Sequence, residues 1–74
     1  MQEATDLMVA LRRLIEIEED AQEGYGDAAI IFLDGGWIAF GAAVFRAGHP
    51  YGQRARALRI ELAELEARYG AAPR

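Results

Sequence analysis

The stretch that decides the fold is Ala28-Ala29-Ile30-Ile31-Phe32-Leu33-Asp34-Gly35-Gly36-Trp37-Ile38-Ala39-Phe40. Two runs rich in β-branched and aromatic residues flank an Asp-Gly-Gly, the strongest short-range signal for a β-hairpin. Whether the turn centres on Asp34-Gly35 or on Gly35-Gly36, one face collects Ala29, Ile31, Leu33, Ile38 and Phe40, and the other Ile30, Phe32, Trp37 and Ala39. Both faces are therefore apolar. Gly41 reads as a bulge or bend, after which Ala42-Ala43-Val44-Phe45 continues the strand or begins a short third one.

On the N-terminal side the pattern changes to helical. Leu7, Leu11, Leu14 and Ile15 share a stripe edged by Met8, while Arg12, Arg13, Glu16, Glu19, Asp20 and Glu23 fall opposite. Thr5 suits an N-cap, and Gly24 and Gly26 supply a stop. On the C-terminal side Pro50 fits a first helical turn. Leu58, Leu62, Leu65 and Tyr69, extended backward by Ala55, form a narrow stripe with coiled-coil spacing that Gly70 ends. Ile60, Ala63 and Ala67 make a second, shallower stripe. The expected architecture is one α+β domain over 1–74, αββ(β)α: a helix over about 5–23, a hairpin over 28–45, a helix over 51–69, and a frayed tail from 70 to 74.

Seventy-four residues allow one small core, and much of the 53% apolar content is alanine. With no cysteine, lysine, serine or asparagine, the chain has no disulfide, no thiolate metal site, no Ser or Cys nucleophile and no Schiff-base lysine. The lone histidine, His49, lies between Gly48 and Pro50 with no acid nearby, and the glycine pairs match no phosphate-cradling or dinucleotide motif. A body this small rarely holds a pocket for a small substrate. The expectation is a non-enzyme with no cofactor and no metal. No basic n-region precedes an apolar stretch. The segment Ala28–Phe45 is interrupted by Asp34 and three glycines, which argues against a membrane span, so a cytoplasmic location is expected.

Charge is distributed unevenly. Residues 1–34 carry nine acids against two arginines, and residues 35–74 three acids against six arginines, within a net charge of -4. From Glu16 to Asp34 there is no base at all. If the first helix ends near Gly24, then Glu19, Asp20 and Glu23 crowd the negative end of its dipole, a small cost without structural return. A row of carboxylates with that spacing is, electrostatically, similar to a nucleic-acid backbone, and would fit the basic surface of a larger nucleic-acid-binding protein. The expected function is therefore a small acidic protein-binding inhibitor, of the kind mobile genetic elements such as phages encode against host defence complexes (anti-CRISPR proteins). Its charged footprint would be Glu16, Glu19, Asp20, Glu23, Asp27 and Asp34, with Phe32 and Trp37 as apolar anchors.

Two other readings stand beside it. One is a homodimeric structural or interaction subunit whose acidic face only keeps it in solution. The weaker one is nucleic-acid binding through Arg54, Arg56 and Arg59, which the overall acidity disfavours. The inhibitor reading requires that those three arginines do not fold across the carboxylates and neutralise them.

Overall fold

A computed structural model describes residues 2–70, and they form an antiparallel pair of α-helices. Helix α1 runs Gln2–Asp34 and helix α2 runs Ile38–Tyr69. No strand occurs among the described residues, so the expected α+β fold and its hairpin over 28–45 are corrected to a helical hairpin. The Asp34-Gly35-Gly36 signal does stop the chain, but it stops a helix. Gly36 takes φ +84°, its N–H donates to the Leu33 carbonyl at 3.0 Å, and the Trp37 N–H donates to the Phe32 carbonyl at 2.9 Å. These nested bonds around a left-handed glycine are a Schellman stop. Helix α2 also ends on a positive-φ glycine, Gly70 at φ +84° and ψ 163°, whose N–H donates to the Glu66 carbonyl at 2.8 Å. The tail beyond it, 71–74, lies outside the described residues.

The other expected boundaries also move. Thr5 lies inside α1, and so do Gly24 and Gly26; Pro50 lies well inside α2. Pro50 is exposed. Its missing N–H leaves the Arg46 carbonyl to water, which is how a helix tolerates an interior proline. What carries both helices through these breakers is a continuous seam. On α1, Ala4, Met8, Leu11, Ile15, Glu18, Gln22, Tyr25 and Ala29 recur in steps of four and three; on α2, Gly41, Val44, Gly48, Tyr51, Ala55, Leu58, Leu62 and Leu65 do the same. That 3.5-residue repeat is the geometry of a coiled coil, here closed on itself by the turn.

The seam changes character along its length. Near the open end, Ala4, Met8, Ile15 and Leu62 form the buried cluster, with Leu11, Leu58 and Leu65 packed on it. Toward the turn, glycines replace large residues on α2. A Cβ on Gly48 would come within 2.6 Å of the Tyr25 Cβ, and one on Gly41 within 2.7 Å of the Leu33 side chain. Gly48 and Gly41 are therefore slots that receive α1 side chains, which offsets the roughly 1 kcal/mol that each glycine costs a helix interior.

The result is a rod of 53 × 17 × 13 Å with a radius of gyration of 16.2 Å. A globule of this chain length would have a radius near 11 Å. Among the described residues only six apolar residues are buried, three of them alanine: Ala4, Met8, Ile15, Ala29, Ala55 and Leu62. That is a small core for an independent chain.

Candidate interaction surfaces

Four cross-helix and local ion pairs reorganise the charge map. Arg54 Nε lies 3.0 Å from Glu18 Oε2, Arg59 Nη2 lies 2.6 Å from Glu19 Oε2, Arg12 Nη2 lies 3.0 Å from Glu66 Oε2, and Arg13 reaches Glu16 at 3.8 Å. All are partly or largely exposed, and each contributes at most about 1 kcal/mol. Their effect on electrostatics is larger than their effect on stability. Arg54 and Arg59 fold across the acidic segment, leaving Arg56 as the one member of that trio with no ion partner among the described residues. Glu19 is thereby removed from the expected footprint.

The rest of the footprint divides in two. Glu16, Asp20, Glu23, Asp27 and Asp34 recur at helical spacing along one outer stripe of α1, over about 27 Å. Among the described residues no ion pair reaches Asp20, Glu23, Asp27 or Asp34. Glu19, Asp20 and Glu23 now stand mid-helix, because α1 continues to Asp34. The conflict with the helix dipole, which acts within the last turn, is therefore absent for them. Arg54, Arg56 and Arg59 are likewise mid-helix and oppose no dipole.

Phe32 and Trp37 sit at the tip of the rod, joined through Phe40: ring centroids are 6.3 Å apart for Phe32–Phe40 and 5.8 Å, edge-on, for Trp37–Phe40. Trp37 is 59% exposed. Every residue from Ile30 to Phe40 is exposed, so this end has no interior of its own.

Two flanks run along the rod. One is a trough of about 760 Å³ with Val9, Ile15 and Leu62 among its lining, crossed by the Arg12–Glu66 and Arg59–Glu19 pairs and bordered by the acidic stripe. The other was not legible as a surface in the sequence. Helical spacing places Leu7, Leu14 and Phe32 of α1 beside Phe40, Leu58 and Leu65 of α2. Leu7 is 56% and Leu14 46% exposed, Leu58 and Leu65 cover the buried cluster from this side, and the Phe32–Phe40 contact closes the far end. Between them lie the short side chains of Ala21 and Ala28 on α1 and of Ala43 and Ala47 on α2, beside the Tyr25–Tyr51 stack. The single charged element at mid-flank is the Glu18–Arg54 pair, and Arg54 stacks over the Tyr51 ring at 4.6 Å.

Tyr51 in turn stacks on Tyr25 with centroids 5.4 Å apart. This neighbour raises the Tyr25 phenol above its ordinary value of 10.0, first by side-chain hydrogen bonding, then by repulsion between the two phenolates, then by desolvation. A raised phenol favours the folded state while it stays protonated, so this contribution is present below the ordinary tyrosine range and is lost as pH rises through the folded value. Tyr51→Phe should return Tyr25 ionisation toward ordinary tyrosine, read as a lower midpoint in ultraviolet phenolate absorbance. An unchanged midpoint would mean that burial alone sets the shift.

Among the described residues no group of three or more His, Cys, Asp or Glu is placed to hold a metal ion, and no helix is long and apolar enough to cross a membrane. His49 is exposed beside a small cleft with Gln22 and Phe45. Compared with protein-family models, curated proteins and solved structures, the chain matches none.

Proposed function

We infer that this chain is a non-enzymatic interaction subunit, a helical hairpin that acts by burying its leucine and alanine flank against further helices, with the acidic stripe as a solvated outer face. The observation that supports this reading is the surface left open. The chain exposes 5458 Å², whereas a compact monomer of 8.1 kDa would expose about 4,500 Å². Leu7, Leu14, Phe32 and Phe40, 38–59% exposed along the flank, make part of that surface apolar, and an exposed apolar patch marks an interface. The inhibitor reading loses Glu19 to Arg59 but keeps Asp20, Glu23, Asp27 and Asp34 without an ion pair among the described residues, so it stands as the second reading, which the amide variant tests.

The test compares two variants in living cells. In one, Leu7 and Leu14 are replaced by lysine; in the other, Asp20, Glu23 and Asp27 are replaced by their amides. In-cell crosslinking of the tagged chain should give bands above the monomer for the wild type and the amide variant, and none for the lysine variant. Circular dichroism of the purified proteins checks that α-helix is retained, which is expected because both leucines are half exposed. Loss of the bands in the amide variant alone would overturn this reading and favour the acidic face as the working surface.

A further inference from the structure

We propose that the occupant of the leucine and alanine flank is a second copy of this chain, packed antiparallel about a two-fold axis through the Glu18–Arg54 pair to make a four-helix bundle. This rests on the interaction-subunit reading above and names its partner.

Three observations carry it. The first is area. The excess surface, on the order of 1,000 Å², is close to the roughly 800 Å² that each partner contributes to a standard stable interface. One further copy laid along the rod covers what the hairpin leaves open.

The second is charge. An isologous contact sets a surface against itself, so a face of one sign repels its own copy. The trough itself is lined by Arg12, Arg13 and Arg59 beside Glu16, Glu19 and Glu66, but the stripe Asp20, Glu23, Asp27 and Asp34 that continues toward the turn has no ion pair among the described residues, so self-association there would bring unpaired carboxylates together. At the middle of the other flank there is one acid and one base, already 3.0 Å apart. Glu18 stands midway along Gln2–Asp34, and Arg54 midway along Ile38–Tyr69. A two-fold axis at that level brings two such pairs together with alternating sign. Glu61 and Arg68 follow Arg54 at seven-residue steps on the same flank, and a polar pair at the centre of such a seam is a device that fixes register.

The third is shape, and it selects the orientation. The half of the flank near the open end carries Leu7, Leu14, Leu58 and Leu65; the half toward the turn carries Ala21, Ala28, Ala43 and Ala47 before the tip aromatics. Antiparallel packing sets the large half of each copy on the small half of the other, which is how facing layers fill space. Parallel packing would set leucine on leucine and alanine on alanine, overfilling one half and leaving the other empty. The Ile60, Ala63 and Ala67 stripe lies on the trough side and takes no part.

The test uses the full chain alone. Sedimentation equilibrium at micromolar concentration should give twice the 8.1 kDa chain mass. The chain has no cysteine, so Glu3→Cys, exposed at the open end, takes a single nitroxide. With the axis at Glu18, 15 residues from the label, antiparallel packing predicts a label separation of about 45 Å, and parallel packing one under about 20 Å, two helix diameters. Arg54→Glu places four carboxylates on the axis and should weaken association by about 100-fold or more. Adding Glu18→Arg to it restores alternation and should recover most of the loss. If the pair served only within one hairpin, Arg54→Glu would lower the melting point without changing the dissociation constant. A monomer at every concentration overturns the proposal, as does a short label distance. If the purified chain is monomeric while the in-cell crosslinks persist, the interaction-subunit reading survives and the partner is another protein.

Discussion

Met8→Ala is expected to cost about 2–5 kcal/mol and to leave the chain largely unfolded at 25 °C. Met8 is 2% exposed and, among the described residues, is the largest side chain to be fully buried. It sits in the cluster formed with Ala4, Ile15 and Leu62, where the two helices meet at the open end. Truncation removes the transfer free energy of its three terminal heavy atoms and leaves a cavity that two long helices, held at this end only by their own contacts, must collapse around. A single core of this size supplies no more than about 3–5 kcal/mol in total, so the loss is comparable with the whole. Met8→Leu keeps volume and apolarity and should cost less than about 1.5 kcal/mol. Urea melts followed by helical circular dichroism at one fixed protein concentration separate the two variants. A Met8→Ala loss below about 1 kcal/mol would show that the cluster does not hold the helices together, and that the packing energy lies on the flank instead.

How much of this was readable from residues follows from where two periods coincide. The run Ala28–Leu33 is apolar at every position, and such a run satisfies a strand of period 2 and a helix of period 3.6 alike. Ile30, Ile31 and Phe32 then tilt the choice toward a strand on propensity. The Asp-Gly-Gly reads as the turn of a β-hairpin, but a left-handed glycine serves a helix-ending Schellman motif as well, and here it ends α1. The signal that could have decided was the stripe Leu58, Leu62, Leu65 and Tyr69 with Ala55. Continued backward in steps of three and four, it passes through Tyr51, Gly48, Val44 and Gly41, straight across the expected strand. It was hidden because glycine in that register reads as a breaker, and because its counterparts Glu18 and Gln22 on α1 read as surface.

The candidate site had a different obstacle. The acids were visible one by one, but the pairing of Glu18 with Arg54 and of Glu19 with Arg59 depends on which residues of α2 lie opposite them. A hairpin over 28–45 sets that pairing wrongly. The supposed penalty at a helix C-terminus depended on the same error, since a helix that reaches Asp34 places Glu19, Asp20 and Glu23 at its middle. Phe32 and Trp37 both lie at the tip, and it is Phe40, which the hairpin reading sets on the opposite face, that contacts each ring.

Gly48→Ala and Gly24→Ala should move stability in opposite directions, although both exchange glycine for the best helix former within a helix. Neither glycine has a positive φ, so neither backbone needs glycine for its conformation. At Gly24 nothing lies within 4 Å of an added Cβ, and the substitution should stabilise by about 0.5–1 kcal/mol through the lost freedom of the unfolded chain. At Gly48 the added Cβ would stand 2.6 Å from the Cβ of Tyr25 and 3.2 Å from its Cγ. A Cβ cannot swing aside as the end of a long side chain can, so the helices themselves must separate. That separation disturbs the Tyr25–Tyr51 stack as well, and overpacking of this kind costs about 1–3 kcal/mol beyond the propensity gain. Gly52 offers the intermediate case. Its close neighbour is the amide end of Gln22, which can rotate away, so Gly52→Ala should fall between the other two. For a chain of this length each kcal/mol corresponds to about 4–8 °C in melting temperature, so the ranking is measurable by thermal melts alone. Equal stabilisation at positions 24 and 48 would mean that α2 does not approach α1 through its glycines, and the seam described above would be wrong at its centre.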